Sequence, residues 1–355
     1  MNNELSIKQS NQLKAIAILM MVFLHLFNRD YKGLFEPIVF IGSKPLSFYF
    51  SLFCDSCVPI FAFVSGYGLY YKFQKDKINY IVSIWNRISK LYINYWFILI
   101  IFVPVLGTLL NKEGYPGSLL KFILNFTSLS DSYNSIWWFF LIYILLVISS
   151  NSIFSIVQKY SSIFLILSSF IIYLVSFYFR VYKSNMFEAE ILNWLQGRVC
   201  LYGTTLFPFL LGAIALEYNW NSHWSCFFKK ISYPKMFILL AISGFIIIHG
   251  IIPNFIIAPF LAIPFIFVFS QIRLGSLLES ILNFIAKHST NIWLIHPFFY
   301  MIYFQELMYK TKNVILIYLL VLLISIFSSL IINVIQDLVI KKINKLGELN
   351  LTSSN

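Results

Sequence analysis

The sequence predicts an all-α fold, a polytopic membrane bundle of about ten transmembrane helices with both termini in the cytoplasm. Three observations lead to this prediction. Of 355 residues, 59% are hydrophobic and 11% are charged, and the mean hydropathy is +0.79, which lies outside the range of soluble domains. Apolar runs long enough to cross a bilayer recur along the whole chain. The basic residues also favour one set of loops over the other.

The predicted spans follow one another in chain order, each on an apolar run. Only His249, Gly250, Pro253 and Asn254 separate the seventh run from the eighth, so we predict a tight helical hairpin there. The ten predicted spans are 12–28, 47–71, 84–106, 136–157, 161–180, 199–217, 235–250, 252–271, 290–308 and 313–340.

Loop charge predicts the orientation, because cytoplasmic loops carry an excess of Lys and Arg. With both termini inside, the inward set is Lys72, Lys75, Lys77, Arg87, Lys90, Lys229, Lys230, Lys235, Arg273, Lys287, Lys341, Lys342 and Lys345. The smaller outward set is Arg29, Lys32, Lys44, Lys112, Lys121, Arg180, Lys183 and Arg198. We interpret the net charge of +12 as loop charge facing anionic lipid, and expect membrane lipid but no nucleic acid among the partners.

The chain shows no internal repeat and no linker, so we predict a single domain over residues 1–345 and a short polar tail over 346–355. The longest loops, 29–46, 107–135 and 181–198, face outward in this topology, where long loops usually carry function. Carboxylates beside aromatic rings in these loops suit a carbohydrate surface, and an interfacial aromatic belt explains them equally well. The side chains concerned are Asp30, Glu36, Asp131, Glu188, Glu190, Tyr115, Tyr133 and Trp194.

Two ionisable residues stand in the first apolar segment. Lys14 and His25 are separated by ten residues, or about three helical turns, so they share one helix face about 16 Å apart along the axis. Ionisable groups inside a membrane usually mark a functional path. The pair therefore indicates chemistry conducted across the membrane rather than a simple anchor.

Further motifs follow in order along the chain. They are VPIFAFVSGY at Val58–Tyr67, a basic pair at Arg87–Lys90, SIWWFF at Ser135–Phe140 and STNIWLIHP at Ser289–Pro297. With the segment Gln12–His25, they resemble the signatures of the acyltransferase 3 family of membrane-bound acyltransferases over nearly the whole chain. The first motif of that family places ten residues between an Arg or Lys and a His.

The chain departs from the commoner family pattern at two basic positions. Lys14 stands where Arg is more frequent, and Lys90 is the second residue of the basic pair. A planar bidentate donor is thus replaced by a point charge at both places, a change that phosphate binding tolerates better than carboxylate clamping.

The resemblance implies transfer of an acyl group, usually acetyl from acetyl-coenzyme A, to a hydroxyl of a sugar or glycan on the far side of the membrane. Surface polysaccharide or a lipid-linked glycan is the expected acceptor, in a bacterial plasma membrane. The donor carries phosphates that cannot cross the bilayer, so cations at the inner surface are needed to hold it. Lys14, Arg87 and Lys90 are the candidates, with Ser65 and His296 as further donor-binding residues.

His25 is implied as the catalytic residue. It would act either as a general base on the acceptor hydroxyl or as a nucleophile that first accepts the acyl group. A carboxylate would orient its ring, and of Asp30, Glu36 and Asp55 we favour Glu36. Trp137 and Asp30 are predicted to contact the acceptor.

Several of these residues also have a purely structural interpretation. The basic residues fit side chains that extend to lipid headgroups. Ser65 and Gly66 fit a close approach of two helices. Trp137, Trp138 and His296 fit packing roles.

The remaining histidines and cysteines indicate little chemistry. His223, His249 and His288 are interpreted as loop or helix-end residues, and Cys54 with Cys57 has no second pair to complete a zinc site, so no metal is expected. A polysaccharide exporter or secondary transporter is the alternative function, although the sequence lacks the pseudo-symmetric halves expected of one.

Overall fold

The structure, a computed structural model, describes residues 4–352 and the side chains of residues 4–339. It is 79% helix and 2% strand. The helices are α1 (Ile7–Phe27), α2 (Leu46–Phe53), α3 (Cys57–Lys75), α4 (Tyr80–Ile100), α5 (Leu106–Leu109), α6 (Leu119–Phe126), α7 (Trp138–Lys159), α8 (Ser162–Val181), α9 (Glu190–Glu217), α10 (Trp220–Lys229), α11 (Pro234–Ile251), α12 (Ala258–Ser270), α13 (Ser276–Pro297), α14 (Gln305–Tyr309) and α15 (Val314–Thr352). A two-stranded antiparallel ribbon joins β1 (Phe40–Ile41) to β2 (Lys44–Pro45).

The all-helical prediction is confirmed. Within the described residues, 8 helices are long and apolar enough to cross a membrane, and Phe255–Ser270 is a shorter apolar helix. The predicted hairpin after the seventh run is also confirmed, because α11 ends at Ile251 and helical structure resumes at Phe255. The predicted span 290–308 is not one regular apolar helix, since it comprises the end of α13 and a π-helical segment, Phe298–Tyr303. The predicted tail 346–355 lies partly outside the described residues, and α15 runs through its first part.

The chain forms two compact units, each assembled from two distant stretches of sequence. Unit 1 comprises Met1–Asn86 and Phe139–Lys287, and unit 2 comprises Arg87–Trp138 and His288–Asn355. The predicted donor-binding and catalytic residues of α1 and α3 therefore belong to unit 1, and those of α4 and α13 to unit 2.

Unit 1 is built around a backbone-to-backbone contact between α3 and α9. A Cβ placed on Gly66 would lie 1.9 Å from the carbonyl oxygen of Phe209, and one on Gly212 would lie 2.1 Å from that of Phe63. Only glycine permits such an approach, which is how helices in membranes gain packing energy without a hydrophobic driving force.

The start of α1 is held to unit 1 by polar contacts. Ser6 caps the helix in a capping box with Gln9, whose amide also donates to the carbonyl of Ser270 at 2.9 Å. Lys8 forms an ion pair with Glu279, and Gln12 donates to the same carboxylate at 3.3 Å. These contacts determine where α1 begins.

Unit 2 contains two π-helical segments next to prolines. Ile101–Val105 includes Pro104, and Phe298–Tyr303 directly follows Pro297. The two segments touch, because the ring centroids of Phe102 and Phe298 are 4.7 Å apart. Proline lacks the N–H of the regular ladder, and π-helical turns of this kind are frequent at functional sites.

Candidate functional site

Lys14 and His25 lie on one uninterrupted helix. α1 runs from Ile7 to Phe27 without a break, so their separation along its axis is about 16 Å, as predicted. Both side chains are half-buried, and His25 is in the last turn. The same helix therefore holds the Lys14 ammonium about two turns after its beginning and the His25 imidazole in its last turn.

Arg29 is a charged neighbour of His25 that the sequence analysis assigned only to loop charge. Its guanidinium Nη2 donates to the backbone carbonyl of His25 at 2.5 Å, and its side chain is half-buried. Its place just after the end of α1 is the signal that would have found it, because basic side chains near a helix C-terminus bond to the last carbonyls. The guanidinium places a positive charge at the end of α1, against the backbone of His25.

The three carboxylates predicted to orient His25 occupy different environments. Asp30 is exposed, and its carboxylate accepts the backbone N–H of Lys32 at 3.2 Å. Glu36, the favoured candidate, is also exposed, whereas the side chain of Asp55 is 22% exposed. Of the three, Asp55 is the one that the fold holds in a largely buried position.

Asp55 faces a histidine that the sequence analysis treated as a helix-end residue. His249 does lie in the last turn of α11, but it is fully buried, and its Nε2 lies 3.9 Å from Oδ2 of Asp55. Neither ring nitrogen has a hydrogen-bond partner among the described residues. Nothing in the local sequence marks His249 as buried, because its neighbours on α11 are largely accessible.

Ser65 belongs to the close approach of α3 and α9. The side chain is buried, and it precedes Gly66, whose missing Cβ makes room for the Phe209 carbonyl. The packing interpretation of Ser65 and Gly66 is confirmed by this contact. Donor binding by Ser65 stays a prediction.

In unit 2, Arg87 and Lys90 lie on α4, three residues apart and both exposed. Residues at this spacing are neighbours on a helix surface. Two adjacent cations on an accessible face suit a phosphate-bearing ligand, and they equally suit lipid headgroups.

Trp137 and His296 meet on the same stretch of α13. The indole Nε1 of Trp137 donates to the carbonyl of Leu294 at 2.9 Å. His296 is fully buried, and its Nδ1 lies 2.8 Å from the carbonyl of Ile292 and 3.0 Å from that of Trp293.

Proline explains why these side chains bond to the helix backbone. Pro297 has no N–H to offer the carbonyl four residues earlier, that of Trp293, and the imidazole of His296 supplies a donor instead. Nδ1 therefore carries the proton, because both of its partners are acceptors. Trp137 and His296 stabilise the irregular end of α13, and their roles toward donor and acceptor stay predictions.

His288 lies well inside α13, so its prediction as a loop or helix-end residue was wrong. It is buried, and its Nδ1 lies 2.8 Å from Oγ of Ser329 on α15. The sequence carries no local signal for this pair, because the two residues are 41 positions apart.

The aromatic residues of the 107–135 loop bond to the loop itself. The hydroxyl of Tyr115 donates to the carbonyl of Tyr133, and that of Tyr133 donates to the carbonyl of Pro116. The ammonium of Lys121 lies 4.6 Å from the centroid of the Tyr133 ring. Burial, and then the neighbouring Tyr133, raises the pKa of Tyr115 to about 12. These rings order the loop. The predicted loop 181–198 is shorter than expected, because α9 begins at Glu190, and Trp194 lies on that helix with 37% of its surface exposed.

Comparison with known proteins agrees with this arrangement of motifs. The family model described as an acyltransferase domain, acyltransferase 3, matches residues 7–334. No curated protein and no solved structure matches the chain. The match begins at the first residue of α1 and includes the segments of Lys14, His25, Arg87, Lys90 and His296. The chain therefore belongs to the acyltransferase 3 family of membrane acyltransferases.

Proposed function

We propose that the protein moves an acyl group, acetyl by expectation, from cytosolic acyl-coenzyme A to a hydroxyl of an extracytoplasmic sugar. The acceptor is a surface polysaccharide or a lipid-linked glycan, and the protein acts in a bacterial plasma membrane with both termini in the cytoplasm. Family membership and the unbroken α1, which carries both Lys14 and His25, support this proposal.

The observation that carries the proposal is the length of α1 between Lys14 and His25. About 16 Å is about half the thickness of the hydrocarbon core of a bilayer. An imidazole held at that distance from a basic residue is positioned to act on a group delivered from one side of the membrane to an acceptor on the other. A helix that only anchors the protein in the membrane requires neither the lysine nor the histidine.

The reaction requires one proton transfer and one acyl transfer. The C–S bond of the thioester breaks, a C–O bond forms to the acceptor, and the hydroxyl proton finally resides on the coenzyme A thiol. His25 takes that proton as a general base in direct transfer. In a two-step reaction, it instead forms an acyl-imidazole that the acceptor hydroxyl then attacks.

Arg29 contributes a positive charge beside His25 in either route. Its guanidinium is bound at the carbonyl of His25 and is half-buried, so its field is only partly screened by water. The oxyanion formed when the thioester carbonyl is attacked is stabilised by a fixed cation of this kind. Two carboxylates on the loop after α1 keep their predicted roles. Glu36 orients the imidazole of His25, and Asp30 contacts the acceptor.

The donor nucleotide is assigned to basic residues of α1 and α4. Arg87 and Lys90 are adjacent on the accessible face of α4, and we assign them to the phosphates of coenzyme A, as we do Lys14 on α1. Ser65, His296 and Trp137 are buried in helix contacts, so we assign them supporting positions rather than phosphate contacts.

The experiment that tests the proposal measures O-acylation of surface polysaccharide by mass spectrometry. Cells carry the native chain, no copy, His25→Ala or His223→Ala, at equal membrane abundance. His223 is an exposed histidine of α10 and serves as the matched control. We expect the acyl mass increment to disappear without the chain and in His25→Ala, and to persist in His223→Ala.

Two outcomes would contradict the proposal. Acylation that persists in His25→Ala would remove this residue from catalysis. Acylation that persists without the chain, together with a failure of polymer export, would favour the exporter as the function.

A further inference from the structure

A polar network, buried at its centre and half-buried at its ends, connects three helices of unit 2. The amide nitrogen of Asn94 on α4 donates to Oδ1 of Asn291 on α13 at 2.7 Å. The amide nitrogen of Asn291 in turn lies 2.9 Å from Oγ of Ser329 and 2.9 Å from Oδ1 of Asn333, both on α15. His288 completes the network through Ser329. Three carboxamides, one hydroxyl and one imidazole thus meet within apolar helices.

This network continues the basic stripe of α4. Arg87, Lys90 and Asn94 are spaced three and four residues apart, so they follow one another along a single helix face. The two cations are exposed, and Asn94 is half-buried. The stripe therefore changes along α4 from charged and accessible to neutral and partly enclosed.

Helix packing uses only part of the hydrogen-bonding capacity of the network. Within the described residues, Asn94 makes one hydrogen bond, through one of its amide hydrogens, and its Oδ1 has no donor. Asn333 accepts one hydrogen bond and uses neither of its amide hydrogens. Two carboxamides at the ends of the network thus retain both a donor and an acceptor.

A serine hydroxyl near the network also lacks a hydrogen-bond partner in the described structure. Ser325, one turn before Ser329 on α15, is fully buried, and its Oγ has no hydrogen-bond partner in the part of the chain that the structure describes. An unsatisfied buried hydroxyl costs about 1–3 kcal/mol. Such groups are unfavourable in an apolar bundle unless something brought into it satisfies them.

We propose that Asn94, Asn291, Asn333 and Ser325 form a subsite of unit 2 for an extended chain bearing secondary amides, the pantetheine arm of acyl-coenzyme A. The inference rests on the proposed function. A secondary amide presents one N–H and one C=O, the complement of a carboxamide side chain. The phosphates that precede the arm in the donor match Arg87 and Lys90, which precede Asn94 on α4.

The test compares two ligands on purified protein in lipid nanodiscs by calorimetric titration. Coenzyme A carries the pantetheine arm, and adenosine 3′,5′-bisphosphate carries the nucleotide phosphates without it. Asn94→Leu keeps the size of the side chain and removes its amide. Asn86→Leu is the matched control, because this exposed residue is on the same helix, two turns before Asn94 and about 80° from it around the axis.

We expect Asn94→Leu to weaken coenzyme A binding about three- to tenfold, the effect of losing one or two hydrogen bonds, and to leave binding of adenosine 3′,5′-bisphosphate unchanged. Asn86→Leu should change neither affinity. Should Asn94→Leu fail to insert, Asn333→Leu makes the same comparison, because Asn333 lies at the opposite end of the network, on α15.

The outcomes distinguish a failure of the proposed subsite from a failure of the proposed function. If the native protein binds neither ligand, its use of a coenzyme A donor is wrong and the subsite is overturned with it. If the native protein binds coenzyme A but the carboxamide variants weaken both ligands equally, or neither, the network is only a packing device.

Discussion

The contact between α3 and α9 makes a quantitative prediction. Substituting Gly66 by Ala places a Cβ 1.9 Å from the Phe209 carbonyl oxygen, whereas ordinary contact begins near 3.4 Å, so the two backbones must part locally by the difference, 1.5 Å. A gap of about 0.5–1 Å already forfeits a quarter to a half of the dispersion energy of the atoms involved. We expect Gly66→Ala to lower the free energy of unfolding by about 1–3 kcal/mol or more.

A second glycine of α3 provides a control for this substitution, and two native cysteines provide a probe of helix separation. A Cβ on Gly68, two residues along α3, would meet nothing within 4 Å, so Gly68→Ala should be neutral or stabilising by up to about 1 kcal/mol. Cys57 on α3 and Cys200 on α9 are buried free thiols. With Cys54 and Cys226 replaced by Ser in every variant, reaction of these two thiols with a thiol-sensitive dye during heating reports when the two helices separate.

The same comparison can be made from the side of α9. Gly212→Ala should lower the temperature at which the thiols react, because its Cβ would lie 2.1 Å from the Phe63 carbonyl, and Gly197→Ala should not, because its Cβ would meet nothing within 4 Å. Equal midpoints for Gly66→Ala and Gly68→Ala would refute a backbone contact between α3 and α9.

Three further predictions concern single side chains. Trp137→Phe removes the indole donor to the Leu294 carbonyl and should lower the free energy of unfolding by about 1 kcal/mol, measured by thermal unfolding; an unchanged midpoint would show that this bond does not stabilise α13. His249→Leu removes a buried imidazole with neither nitrogen bonded in the described structure and should raise the midpoint, whereas a decrease would show that its contact with the neighbouring carboxylate stabilises unit 1. The hydrogen bond from Lys8 lowers the pKa of Glu279, so the carboxylate stabilises the start of α1 above the ordinary glutamate pKa of about 4.3, and this contribution is lost as the pH falls through the lowered value. The midpoint of Glu279→Gln should therefore fall less than that of the native chain on acidification, and parallel pH profiles would contradict this.

Local sequence was sufficient to predict the helices and the family. An apolar run long enough to span a bilayer is contained in about 20 consecutive residues, so the spans could be located without tertiary information. The spacing of Lys14 and His25 is likewise a property of one helix, and the continuous α1 bears it out. Small residues such as Ser65 and Gly66 are also a local signature of close helix packing.

Tertiary contacts decided the environment of the polar side chains. Hydropathy alone could not reveal that His249 is enclosed against Asp55, since α11 is largely accessible around it. Pro297 breaks the regular ladder of α13, so the predicted span 290–308 became an irregular segment whose carbonyls are satisfied by side chains.

The sequence by itself determined the class of the molecule, the order of its motifs and the helix that carries His25, because each depends on residues within a few turns of one another. Only the tertiary structure decided which polar groups are satisfied and which remain open. Asn94 and Asn291, for example, are 197 positions apart and meet only when α4 and α13 pack. In an apolar environment every polar group must find a partner, and that partner is a matter of three-dimensional proximity.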